Sequence, residues 1–213
     1  MIVGTYNGWN IIALPSDQWP NVAPPSMLEF APVDSVAVST SPYTGQTQVY
    51  DWQNARWMGT INFAPMSAVS AAYWQAWLLE ARAGLNVFQL GNPQFASPAG
   101  TGLGQPVVNG NFQAGFSVAT RGWLPSMFGL LLPGDRIQIG YYLYRICSPV
   151  NSDANGDAVL SIWPNLRAQP GDSTPIQLAN PMGLWRLAPN SKNKWTEHAA
   201  NHGMSPVQIV EAI

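Results

Sequence analysis

Charge is scarce in this 213-residue chain: nine Lys or Arg and eleven Asp or Glu make up 9% of it, where soluble domains usually carry ~25%. Lysine occurs only at Lys192 and Lys194, and the formal net charge is −2. No basic face is therefore on offer for phosphates, which excludes nucleic acid as a main partner. A single cysteine, Cys147, rules out an internal disulfide and any metal scaffold built on cysteine clusters; its apolar surroundings suggest an inert core thiol. The longest apolar runs, such as residues 128–133, fall far short of the ~20 residues of a membrane helix, so no membrane insertion is expected. No basic stretch precedes an apolar one at the N-terminus, and no signal peptide is expected.

Apolar bulk is abundant instead. Ten Trp, seven Tyr and seven Phe each bring roughly 150–250 Å² that can leave water, the reverse of a disordered composition. The 19 glycines and 19 prolines exceed the usual combined ~12% and favour short elements with many turns. The length suits one large domain or two small ones. A free monomer normally keeps roughly 25–35% charged residues on its surface for solubility. A chain this poor in charge and rich in Trp is either a sticky monomer that precipitates easily or hides much of its exterior against other copies; it reads as an assembly subunit.

The chain is patterned mainly as strands. Residues 1–3, 9–14 and 35–39 are short extended pieces, the last with the period-2 alternation of Val36 and Val38. Between them residues 17–32, interrupted by Pro20, Pro24, Pro25 and Pro32, read as a loop or covering arm, the core of a proline-rich stretch over 15–32. Ser41-Pro42-Tyr43-Thr44-Gly45 is a turn. Residues 48–52 and 56–63 read as two strands around a turn at Gln53-Asn54-Ala55. Residues 67–83 are the one long helix, free of internal Gly and Pro, with Ser67 or Ser70 as its cap and Gly84 to close it. Residues 87–90 resume as a strand.

From residue 97 the composition turns to Gly, Pro, Asn and small residues, a passage into a second, all-β unit. Residues 134–140, 142–147 and 158–164 are its strands, and Asn155-Gly156 between the last two is a hairpin signal. Strands so short and so spaced suggest a small barrel or sandwich. Residues 184–187 form a strand, 188–204 are polar, and 206–213 alternate as a strand whose natural partner is the first sheet. The middle unit is then an insertion: residues 1–100 plus 181–213 form one domain, and 101–180 the inserted small all-β domain.

Candidate chemistry is thin. His198 and His202 stand four apart, a spacing that two metal ligands on a helix share, but the internal Glu of such motifs is missing and the segment reads as a loop. Asp153-x-Asn155-Gly156-Asp157 is a poor match to a calcium loop, with Pro164 where the closing Glu belongs. No Gly-x-Ser-x-Gly elbow occurs, and Gly100-Thr101-Gly102-Leu103-Gly104 lacks the Lys-Ser/Thr of a phosphate loop. No catalytic residue, metal or cofactor is assigned. The aromatics could instead form a sugar-binding platform, which makes a carbohydrate-binding β module adhering to a host surface the competing reading. The arginines lie in or beside apolar strands, where pairing and ring stacking suit them; Asp135, Arg136 and Arg145 read as structural ion pairs.

A resemblance is carried by an ordered series: Ser41-Pro42-Tyr43-Thr44-Gly45-Gln46, Trp52, Arg56-Trp57, Pro65-Met66, Ala72 and Trp74, and Phe88-Gln89-Leu90-Gly91-Asn92-Pro93. It continues through Arg121-Gly122-Trp123, residues 134–140, Leu143-Tyr144-Arg145-Ile146, Asp153-Ala154-Asn155-Gly156 and Trp163-Pro164-Asn165-Leu166-Arg167. Over about residues 35–190 the chain resembles the distal tail proteins of long-tailed bacteriophages, the ring between tail tube and tail tip. The resemblance implies a non-enzymatic virion protein of the tail tip. Its β-sandwich, bearing a helix, would form a hexameric ring and carry a β-barrel-like insertion. Implied partners are copies of itself, the tail tube protein, tail hub or tip proteins, and side fibres or a receptor-binding protein. Trp52, Arg56, Trp57, Tyr73 and Trp74 are expected in the core or the ring contacts of the first unit.

Overall fold

The structure, a computed structural model, describes residues 2–52, 54–197 and 201–213. The fold is mainly β with one long helix. In chain order the first part comprises β1 (Ile2–Tyr6), β2 (Trp9–Ile12), the single turn α1 (Pro15–Gln18), β3 (Met27–Val33), β4 (Val36–Thr40), β5 (Thr47–Asp51), β6 (Arg56–Asn62), α2 (Ala68–Glu80) and β7 (Val87–Leu90). Then follow β8 (Gly104–Val108), β9 (Ser117–Trp123), β10 (Arg136–Ile139), β11 (Tyr142–Ile146), β12 (Ala158–Trp163) and β13 (Ile176–Gln177). The chain closes with β14 (Gly183–Leu187), β15 (Trp195–Glu197), β16 (His202–Met204) and β17 (Val207–Glu211).

Strands β1-β2-β7-β14-β17-β6-β3 form one sheet and β13-β10-β11-β12-β9-β8 another. The chain thus leaves the first sheet after β7, builds the whole second sheet, and re-enters the first with β14. Ser67 caps α2, its hydroxyl accepting from the Ser70 N–H, and the helix ends at Glu80. The chain then turns through Arg82, Ala83 and Gly84, all at positive φ. One face of the helix, Ala71, Trp74, Trp77 and Leu78, is buried against Ile12, Trp57, Ile61, Phe88, Trp185 and Ile209 of the first sheet. The second sheet has its own core, including Val118, Leu130, Ile137, Tyr144, Ile146 and Leu160. It curls toward closure, because Val108 at its β8 edge exchanges backbone bonds of 2.9 Å with Ser173 and Thr174 beside β13.

Several expectations are corrected. Strand β5 pairs with β4, Val38 opposite Val49, and not with β6, which pairs with β3 and β17. Hence residues 48–52 and 56–63 are not a hairpin; Gln53 of the expected turn lies outside the described residues, as does Met1 of the first strand. The proline-rich stretch is not all loop: β3 runs through Pro32 at the edge of the first sheet, where a missing N–H breaks no interior ladder. Asn155-Gly156 does not make a tight hairpin. The β11–β12 connection spans eleven residues, 147–157, and the Asp153 carboxylate organises it by accepting the Asn155 and Asp157 N–H groups at 2.8 and 2.9 Å. Gly156 has φ 81°, and a Cβ there would overlap the Trp123 carbonyl.

Cys147 is exposed rather than in the core, and partial burial still raises its thiol pKa. Asp135 pairs with no arginine; its carboxylate accepts the N–H groups of Ala99, Gly100 and Leu132 at 2.7, 3.2 and 2.8 Å. Arg121 and Asp172, 2.8 Å apart, instead form an ion pair at the surface. The Gly110 N–H, Arg121 and the Ser173 hydroxyl together hold the Asp172 carboxyl down to about 2 from its ordinary 3.8. A depressed folded-state pKa means the contribution is present above the unfolded value and is lost as pH falls through the folded one. A carboxyl NMR titration is expected to place Asp172 near 2, with residues 109–111 loosening only as that proton binds. A midpoint at the ordinary value would contradict the bonding.

Candidate functional site

Burial separates the molecule into two large cores, a small cluster of Ile11, Val87, Leu184 and Ala212, and one limb that belongs to none of them. Every residue of β4 and β5 is exposed. The pair forms its own two-stranded sheet, and an isolated two-stranded hairpin is marginal in water. Because side chains alternate along a strand, Val36, Val38 and Val49 lie on one side of this arm and Ala37 and Tyr50 on the other. Val38 is 60% exposed, Val49 64% and Tyr43 at the tip 95%. Trp52 continues the Tyr50 side, its ring edge-on to Tyr50 at 5.0 Å and 78°. Apolar side chains thus meet water on both sides of the ribbon, interspersed with Ser39, Thr40, Thr47, Gln48 and Asp51.

A second apolar surface is on the helix. Val69, Ala72, Ala76 and Leu79 are exposed at helical spacing on the side away from the core. A helix apolar all round is ordinarily buried all round. The total exposed surface agrees with these two features. It amounts to 11362 Å², against roughly 9,700 Å² for a compact monomer of 23.1 kDa. An extended ribbon that packs on neither core adds surface in this way.

The five residues expected in the core or the ring contacts of the first unit divide between buried and exposed settings. Trp74 is fully buried, donates its Nε1–H to the Ala23 carbonyl at 2.9 Å and packs against Phe63 and Trp77. Tyr73 is half-buried with its ring on Trp19 at 4.7 Å. These two fasten the proline-rich segment over the helix. Trp57 is 4% exposed and reaches the second sheet, donating Nε1–H to the Leu143 carbonyl at 3.1 Å and meeting the Trp163 ring at 4.5 Å. Arg56 and Trp52 are exposed and flank the base of the arm.

The sequence reading missed the polar lock beneath Trp57. Glu211 on β17 accepts the Trp57 backbone N–H at 3.0 Å and forms a buried ion pair with Arg167 at 2.7 Å. Arg167 also donates to the Ala55 carbonyl and to the Asn165 side chain at 3.2 Å. Nothing local signals this pair, since 44 positions separate its members. A carboxylate in the apolar sequence Val-Glu-Ala-Ile was the available hint.

The remaining features offer little chemistry. A cavity of about 390 Å³ is walled by Leu14, Pro24, Pro25, Leu28, Leu90 and Met182, with Asp17 among its lining residues. His202 lies on β16 opposite Glu197, while His198 lies outside the described residues. Among the described residues no group of three His, Cys, Asp or Glu is placed to hold a metal, and no helix is long and apolar enough to cross a membrane. No protein-family model matches the chain, and no curated protein matches it.

Proposed function

We propose that this chain is a structural subunit of a ring at the distal end of a phage tail, joining the tail tube to the tail tip or hub. The observation that carries the reading is the fully exposed β4–β5 arm, which presents apolar side chains on both of its sides. In a ring each subunit makes heterologous contacts, giving one surface to one neighbour and a different surface to the other. An arm and an apolar helix face on the same chain suit that arrangement. Charge is scarce because so much of the exterior is covered in the assembly. The role is mechanical rather than catalytic, the ring is hexameric, and its place is the virion tail tip.

The test is particle mass and negative-stain imaging of the purified chain. Six-fold rings are expected, and a particle that stays monomeric at every concentration would overturn the proposal. The double substitution Val38→Asp/Val49→Asp changes only exposed side chains, so its melting temperature should stay near that of the parent. Ring formation should then need at least roughly a hundredfold higher concentration, since desolvated anchors each contribute about 2 kcal/mol or more.

A further inference from the structure

One buried cation has no counter-ion. Arg136 on β10 is 9% exposed, and its Nη1 is buried without a hydrogen-bond partner. The guanidinium lies between two rings, 4.9 Å from Phe30 and 4.4 Å from Phe95. Directly across the ladder stands a second arginine, Arg145, so the two side chains share one face of the sheet. Burial and the charge of Arg145 lower the Arg136 pKa to about 10, which leaves it ionised at neutral pH. Buried charges are normally paired, and like charges placed opposite each other destabilise a strand pair.

Several carboxylates are engaged with other donors. Asp135 is taken by three backbone N–H groups. Asp34 accepts the Trp163 indole N–H at 3.2 Å. Asp172 and Glu211 are paired with Arg121 and Arg167. The two ring contacts leave Nη1 without an acceptor, and a guanidinium presents its N–H groups in a planar fork matched to a two-oxygen anion. Phe95, on a single short turn (Pro93–Phe95) and 39% exposed, covers one face. Arg145 is exposed and supplies the second positive charge.

We infer that Arg136 and Arg145 form an acceptor site for the carboxylate of an aspartate or glutamate presented by a partner protein, the anion lying against the guanidinium edge between Phe30 and Phe95. The site does not depend on the ring reading, since a carboxylate on any docked partner would satisfy it.

Propionate is the probe, read by the side-chain Nε–H NMR signals of the arginines and by the melting temperature. Propionate should shift the Arg136 signal and raise the melting temperature, whereas equal concentrations of chloride should not. Arg145→Gln, a change at an exposed position, should weaken propionate binding roughly two- to fivefold. Arg136→Met removes a charge that lacks a partner, so the free protein should melt higher than the parent and lose the propionate response. An Arg136 signal unmoved by propionate would overturn the assignment, as would equal responses in parent and Arg145→Gln. A lower melting temperature for Arg136→Met would show that ring stacking alone satisfies the cation, and phosphate binding tighter than propionate would replace the carboxylate by a phosphate ligand.

Discussion

Arg167→Met is expected to destabilise the fold by about 3–5 kcal/mol, the usual cost of removing one member of a buried ion pair. Side-chain exposure is 4% for Arg167 and 2% for Glu211, so solvent screens neither charge. The Glu211 carboxylate receives Arg167 Nε–H at 3.2 Å, Arg167 Nη2–H at 2.7 Å and the Trp57 N–H at 3.0 Å. Without the guanidinium it keeps one backbone donor and little water. Adding Glu211→Gln neutralises the stranded charge while keeping an oxygen for the Trp57 N–H. Arg167→Met/Glu211→Gln should therefore recover more than half of the loss, measured by urea unfolding. A double variant as unstable as the single would show that the loss comes from packing around Arg167 and not from the uncompensated carboxylate.

Trp57→Ala is the second large effect, about 3–5 kcal/mol for a buried aromatic truncated to a methyl group. This indole touches both sheets, packing in the first core and bonding to Leu143 of β11. Trp57→Phe keeps most of the packing and leaves the Leu143 carbonyl without its donor, a cost of about 1–3 kcal/mol. Amide exchange separates this loss from general unfolding. Protection should fall first at β11 and at the Arg167 segment, where the second sheet leans on the first. Uniform loss of protection would mean that Trp57 supports only its own core.

Much of the fold could be read from the chain because the signals were local. Helix α2 is announced by an unbroken stretch behind a serine cap, and β10 and β11 by runs between glycines. The buried stripe of α2 was harder. Val69, Ala72, Ala76 and Leu79 are as apolar as the residues that face the core, so hydrophobic spacing did not tell one side from the other. Strand β3 was hidden by its prolines, because edge position is a property of the sheet and not of the segment. The exchange of partners between β5 and β6 has the same origin: two alternating strands three residues short of touching look like a hairpin, whereas pairing is decided by what else competes for each edge. The scarcity of charge pointed to covered surface from the outset. That exposed apolar residues gather on the β4–β5 arm could not be read until burial was known, since Val36 and Val38 have the pattern of an ordinary half-buried strand.

The position of β17 has a consequence for how the protein is made. It lies between β14 and β6 and carries the carboxylate that neutralises Arg167, although it comes after both strands in the chain. On the ribosome the two halves of the first sheet must therefore wait, each with an open edge, until this segment emerges and slides between them. Such late long-range closure is slow, and the waiting edges are where nascent chains stick to one another. Cellular holding factors that shield those edges should raise the yield of this protein more than any change to its surface charge.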